Sequence, residues 1–268
     1  MSQVVGPDGA EMRERILSLI DWRKVNRVLD VGCGVGYDLY RIGELTQSTA
    51  GDAADHDKNE YKFFGIDVSS EKIDLAKSDK RHNTKYDYRL HDFSEPLPFE
   101  NNYFDVVYSH NVLECAQDKH KFLAELHRIL KPGGSVLIAH FDWDSAIYNG
   151  TNKQLIRKVI HTFADWKQDW MNACDGWMGR RLWGTIEQTK LFVDAKLTTH
   201  QIVNDKYEFP LYGYKNAGFY SDMVAHGLLS DAEYQEFKKD IEATAKSGDY
   251  LFCITSFIYR AKKSTQQL

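Results

Sequence analysis

Three glycines, Gly32, Gly34 and Gly36, follow the short run Val28-Leu-Asp-Val31. A chain that turns sharply and brings its backbone close to a bound molecule needs residues without a Cβ, so this spacing marks a ligand loop. A dinucleotide-binding loop requires G-x-G-x-x-G; here Tyr37 stands where its last glycine belongs. Acids recur downstream. Asp67 closes Phe63-Phe-Gly-Ile-Asp, Asp92 follows the run 86–90, and Ser109-His110-Asn111 form a polar set. Carboxylates at such places accept hydrogen bonds from hydroxyl and amino groups. His110, His140 and Asp142 are the candidate proton acceptors. A second constellation is aromatic and acidic: Asp142, Trp143, Asp144, Tyr148, Trp166, Trp170, Asp175 and Trp177. Ring faces with carboxylates suit an aromatic amine or a cation. Trp166 and Trp170, four residues apart, are expected on one helical face.

The positioning elements follow from periodicity. Residues 27–30 read as a buried strand, and Tyr37, Leu39, Tyr40, Ile42 and Leu45 as a helix after the glycine turn. Gly6-Pro-Asp-Gly9 reads as a loop, with a helix from Ala10 to about Asp21. Thr46–Glu60 is polar and reads as a surface insertion. Strands are expected at 63–67, 86–90, 104–109 and 135–141. Ser69 caps one intervening helix, and Phe122, Leu123, Leu126, Ile129 and Leu130 stripe another that Lys131-Pro-Gly-Gly134 ends. Strands alternating with helices imply a parallel sheet covered on both faces. After Asp144 helical patterns dominate 145–195, with a strand at 197–203 and an aromatic, turn-rich stretch at 204–227. A helix with the capping pair Ser230/Glu233 covers 230–245, and a last strand 251–259.

Four pieces carry a resemblance over residues 10–141: VLDVGCGVG (28–36), FGIDVSSEKIDLAK (64–77), HDFSEPLPFENNYFDVVYSHNVLEC (91–115) and FLAELHRILKPGGSVLIAH (122–140). Together they resemble the small-molecule type of class I S-adenosylmethionine (SAM)-dependent methyltransferases, similar to quinone-biosynthesis and small-amine enzymes. The resemblance implies an α/β Rossmann-like fold: a seven-stranded, mostly parallel sheet with the last strand antiparallel, helices on both faces and a helical substrate cover. One domain over 1–268 is expected, with 10–141 as SAM-binding core, 142–227 as cover and 228–268 completing the sheet. It also implies roles. Gly32, Gly34 and Gly36 would line the methionine part, Asp30 orient its amino group, and Asp67 hold the ribose. Val68, Asp92 and Phe93 would meet the adenine, Ser109 and His110 lie beside the sulfonium, and Arg13 meet the carboxylate. Asn111, Trp143, Tyr148, Trp166, Trp170 and Trp177 are the acceptor-side candidates. Many relatives carry histidine after Val-Leu-Glu; Cys115 stands there, and a buried structural cysteine is expected.

Other classes fit less well. A nicotinamide-dependent reductase needs a Tyr-x-x-x-Lys helix after the fourth strand, and that spacing occurs only at Tyr234/Lys238 and Tyr259/Lys263. A non-catalytic SAM-binding protein is a further alternative. With net charge −5 and no run of basic residues, no nucleic-acid partner is expected. Apolar runs are too short for a membrane span, and the first ten residues lack a signal peptide's pattern. Four scattered cysteines form neither a metal motif nor a disulfide framework. The expectation is a cytoplasmic monomer or homodimer without metal. It would methylate a small metabolite, with nitrogen favoured over oxygen or carbon, and release S-adenosylhomocysteine.

Overall fold

The computed structural model describes residues 5–48, 61–81 and 84–265. Helix α1 (Pro7–Leu17) starts earlier than its apolar stripe does. Pro7 occupies the first turn, where a missing N–H costs nothing, and Ala10 N donates to Gly6 O at 2.9 Å. Gly6–Gly9 is therefore the opening of a helix rather than a loop. A 3-10 turn (Trp22–Lys24) leads to β1 (Arg27–Val31), and α2 (Tyr37–Ser48) follows the glycines. α2 takes in Thr46–Ser48; the rest of the expected insertion, 49–60, lies outside the described residues.

The alternation then continues through β2 (Lys62–Asp67), α3 (Ser70–Ser78), β3 (Tyr86–Leu90), β4 (Phe104–His110), a 3-10 turn (Leu113–Cys115) and α4 (Lys119–Ile129). Asp118 caps α4 by accepting from Lys121 N at 2.8 Å. β5 (Leu130–Tyr148) is longer at both ends than expected. Phe104 pairs with Leu130 and Val106 with Ser135, so Lys131-Pro-Gly-Gly134 bulges out opposite Asp105 and the strand has already begun. At its far end Thr255 N donates to Ser145 Oγ (3.0 Å) and Asn149 N to Leu251 O (2.9 Å). Pairing along the last strand thus holds 145–148 extended where a helical pattern was expected. The helices beyond are α5 (Lys153–Asp165) and α6 (Met178–Glu187). Then come β6 (Phe192–Asn204), α7 (Tyr212–Phe219), α8 (Ser221–Ala225), α9 (Asp231–Ser247), with the capping box in place, and β7 (Phe252–Lys263).

The sheet order is β3-β2-β1-β4-β5-β7-β6, mostly parallel with one antiparallel end. Among the described residues no helix is long and apolar enough to cross a membrane.

Contacts group the chain into two units. The first comprises Leu17–His140, Leu182–Thr198 and Ile258–Leu268. Its core is the buried row Val28, Leu29, Val31, Phe63, Val107 and Leu123. The second comprises Met1–Ile16, Phe141–Arg181 and Thr199–Phe257. Its core includes Tyr148, whose ring lies 4.8 Å from that of Phe252 and 5.5 Å from that of Phe237.

In the first unit one carboxylate ties three strands. Asp105 Oδ2 accepts from Asn26 N (3.0 Å) and Arg27 N (2.8 Å), and Oδ1 from Lys131 Nζ. Asp105→Ala should therefore cost about 2–3 kcal/mol, read as a lower urea midpoint at unchanged m. An unmoved midpoint would show that the strand ends do not need this carboxylate.

Candidate active site

At the carboxyl end of β1, Gly32 N and Cys33 N both donate to Ile66 O, at 2.8 and 3.0 Å. Gly36 N then closes on Cys33 O (2.9 Å), and Tyr40 N on Gly36 O starts the helix. All three glycines have positive φ, +78°, +53° and +80°. A Cβ on Gly32 would stand 2.2 Å from Val112 Cγ2 and one on Gly36 2.4 Å from the Tyr88 hydroxyl. A Cβ on Gly34 would meet nothing within 4 Å. Two of the glycines are thus demanded by neighbours, while the third turns an open face outward. That open backbone fits a molecule approaching the loop closely.

Asp67, ending β2, is fixed beside it. Its Oδ2 accepts from Gly34 N and its Oδ1 from Ser69 N, both at 2.9 Å. Each oxygen keeps acceptor capacity for a diol. Val68 next to it is 39 % exposed, an apolar surface at a polar strand end. Asp92 is exposed, with Oδ1 accepting from Ser94 N at 2.8 Å, and the Phe93 ring packs edge-on against Phe122 at 5.4 Å. Asp30 is buried in β1. The Cys33 thiol is pushed far up, chiefly by burial and then by the charges of Asp30 and Asp67.

Two imidazole–carboxylate pairs lie on neighbouring strands, one with His110 at the end of β4 and one with His140 midway along β5. His110 Nδ1 lies 3.8 Å from Asp38 Oδ2, which accepts from the Tyr108 hydroxyl at 3.2 Å. Asp38 sits in the first turn of α2, where the helix dipole favours a negative charge. His140, fully buried, has Nε2 3.7 Å from Oε1 of buried Glu114. Both separations are longer than a hydrogen bond. Ser109 Oγ donates to Val31 O at 3.1 Å, and Asn111 follows with φ +57°. Asp38 and Glu114 escaped the sequence reading. The signal for Glu114 was an acid inside the apolar run Val112-Leu-Glu-Cys-Ala116, all of it buried. Cys115 is buried in that turn.

The second unit holds the other candidates. Asp142, buried, is gripped by Arg180: Nε and Nη2 take its two oxygens, the latter at 2.6 Å. This hydrogen bonding raises the guanidinium above the ordinary arginine range. With both oxygens engaged, Asp142 is a structural anion more than a proton acceptor. Arg180 was missed by the sequence reading, because nothing in the spacing pairs it with a residue 38 positions away. Trp177 Nε1 donates to Asp144 Oδ2 at 2.9 Å, and its ring carries Arg180 at 4.6 Å and Arg181 at 5.1 Å. The cation expected over this ring is supplied by the chain itself. Trp143 N donates to Gly176 O, and its ring lies 5.2 Å from Phe141. Tyr148 is buried and its hydroxyl donates to Gly213 O at 2.8 Å. Trp166 and Trp170 do not share a helical face, because α5 stops at Asp165. Trp166 is its cap, with its ring 4.8 Å from His226, and Trp170 lies exposed in a turn. Arg13 Nη1 donates to Gly9 O at 3.4 Å.

Comparison with known proteins gives the same architecture. A methyltransferase-domain family profile matches residues 23–205. An uncharacterised methyltransferase of Schizosaccharomyces pombe is 33 % identical over 124 residues, covering 46 % of this chain and 43 % of its own length. An O-methyltransferase of Aspergillus nomiae is 32 % identical over 141 residues, covering 52 % and 55 %. The chain spans about half the length of the curated relatives it matches. Among solved structures, Haemonchus contortus phosphoethanolamine N-methyltransferase 2 in complex with SAM superposes with a TM-score of 0.56 at 18 % identity. That match covers 98 % of this chain and 54 % of the other.

The glycines separate folding from binding. Gly36→Ala meets Tyr88 and should destabilise by about 2 kcal/mol or more, while Gly34→Ala costs only its left-handed backbone, about 1–2 kcal/mol. Gly34→Ala should nonetheless lose most SAM affinity in calorimetric titration, because its methyl enters the open face. Unchanged affinity in that variant would remove the loop from the site.

Proposed function

This chain belongs to the methyltransferase-domain family, and from that premise we propose that it transfers a methyl group from SAM to a nitrogen of a small, amine-bearing or aromatic metabolite. The reading is carried by Asp67, a carboxylate pinned by two backbone N–H groups beside a glycine whose Cβ position is open. Asp67 receives the ribose hydroxyls. Gly32, Gly34 and Gly36 admit the methionine part, whose amino group Asp30 orients. Val68, Asp92 and Phe93 bound the adenine. Ser109 and His110 lie on the sulfonium side.

SAM supplies a methyl group already activated on a positive sulfur. What the chain must add is alignment, exclusion of water and a destination for one proton. An amine near its pKa asks for no more, which supports nitrogen over carbon. The acceptor nitrogen forms the new bond to the methyl carbon as the carbon–sulfur bond breaks, and its proton passes to an imidazole or to water. His110 and His140 are the imidazoles available, each with a carboxylate oxygen within 4 Å. Asn111 offers an amide for the acceptor.

Asp67→Ala should weaken SAM binding by about tenfold or more, the loss of charge-assisted hydrogen bonds worth about 1.5–3 kcal/mol. Calorimetry with SAM, and with NADPH as control, reads this; binding of NADPH alone would make the chain a reductase. A metabolite screen for S-adenosylhomocysteine release, with mass spectrometry of the product, identifies the acceptor atom. Asn111→Gly keeps the left-handed backbone while deleting the amide. It should leave SAM affinity and melting temperature in place and raise the acceptor KM several-fold; an unchanged KM would take Asn111 out of the acceptor site.

A further inference from the structure

Within the second unit, the distal part of β5 and helix α5 enclose a groove of about 350 Å3. Its volume falls in the range of small-ligand sites. Two faces of different character meet there. Ile156 and Ile160 form an apolar wall, and Ile147, 51 % exposed, stands in the groove from the strand. Along α5, Lys153, Arg157 and His161 are spaced i, i+4, i+8 and share one helical face. His161 is engaged by Asp144. Lys153 and Arg157 have no side-chain partner among the described residues, whereas the neighbouring Lys158 is paired with Glu233. Two like charges one turn apart repel. An anion placed between them relieves that repulsion. A bare anion would leave the isoleucines uncovered, and a neutral apolar molecule would leave the cations unmatched.

We propose that this groove binds a small carboxylate with an aliphatic or aromatic body. Its head lies on Lys153 and Arg157, and its body on Ile147, Ile156 and Ile160. At about 30 Å3 per water-sized group the space takes about a dozen heavy atoms. The site uses none of the residues assigned to SAM and does not rest on the methyl-transfer reading.

The test is calorimetric titration of the full chain with octanoate, octan-1-ol and inorganic phosphate, with SAM titrated into the same samples. Saturable 1:1 binding of octanoate is expected, at least about fivefold tighter than octan-1-ol or phosphate. Lys153→Gln/Arg157→Gln should weaken octanoate about fivefold, or about 1 kcal/mol at 1.4 kcal/mol per tenfold, and leave octan-1-ol unchanged. Ile147→Asp should weaken octanoate and leave SAM affinity alone. All three positions are exposed, so melting temperatures should hold and loss of fold is separable from loss of binding. Octanoate binding that the double variant leaves intact, phosphate binding as tightly as octanoate, or no saturable octanoate binding overturns the proposal. Octanoate binding without SAM binding would uphold it and sink the methyl-transfer reading instead.

Discussion

The candidate cofactor residues depend on one backbone event, the double donation of Gly32 N–H and Cys33 N–H to the carbonyl of Ile66. That carbonyl lies where it does because β1 and β2 pair in a fixed register, Val31 against Ile66. A slip of one residue would turn Asp30 and Val31 to opposite faces, since side chains alternate along a strand. It would also part both amides from their acceptor. The loop's left-handed turns, the Asp67 bridge to Gly34 and the start of α2 all follow in sequence from that register. The register of a buried parallel sheet therefore fixes a polar site at the carboxyl ends of its strands.

Much of the first unit was legible because its signals are local. The glycine spacing, the acids closing strands, and the capping residue Ser69 act within a few positions of themselves. The bulge at Lys131–Gly134 was half legible. Proline and glycines stop a helix wherever they occur, but that the strand had already begun depends on Asp105 and β4 across from it. Beyond Asp144 local reading failed for the same reason. Residues 145–148 are extended because a strand more than a hundred positions later bonds to them. Trp166 and Trp170 have helical spacing without a helix, since periodicity cannot see where α5 is capped.

Several acids of the second unit are matched by donors within it. Asp142 takes Arg180, Asp144 takes His161 and Trp177, Asp175 takes Arg181, and Asp240 accepts from Thr151 and Asn152 at the start of α5. Aromatic rings and acids that look available in the sequence are largely occupied in the fold. Chemistry in this unit is therefore better sought where a charge is left over than where a ring is present.

Cys33 lies in the loop on which the cofactor residues converge, yet burial and two carboxylates hold its sulfur in the thiol form. Sulfenic acid and mixed disulfides form through the thiolate, so this position resists oxidation and alkylation. A loop of this shape could have doubled as a redox sensor. Burial and the two carboxylates instead disfavour the thiolate, the form through which peroxide would act.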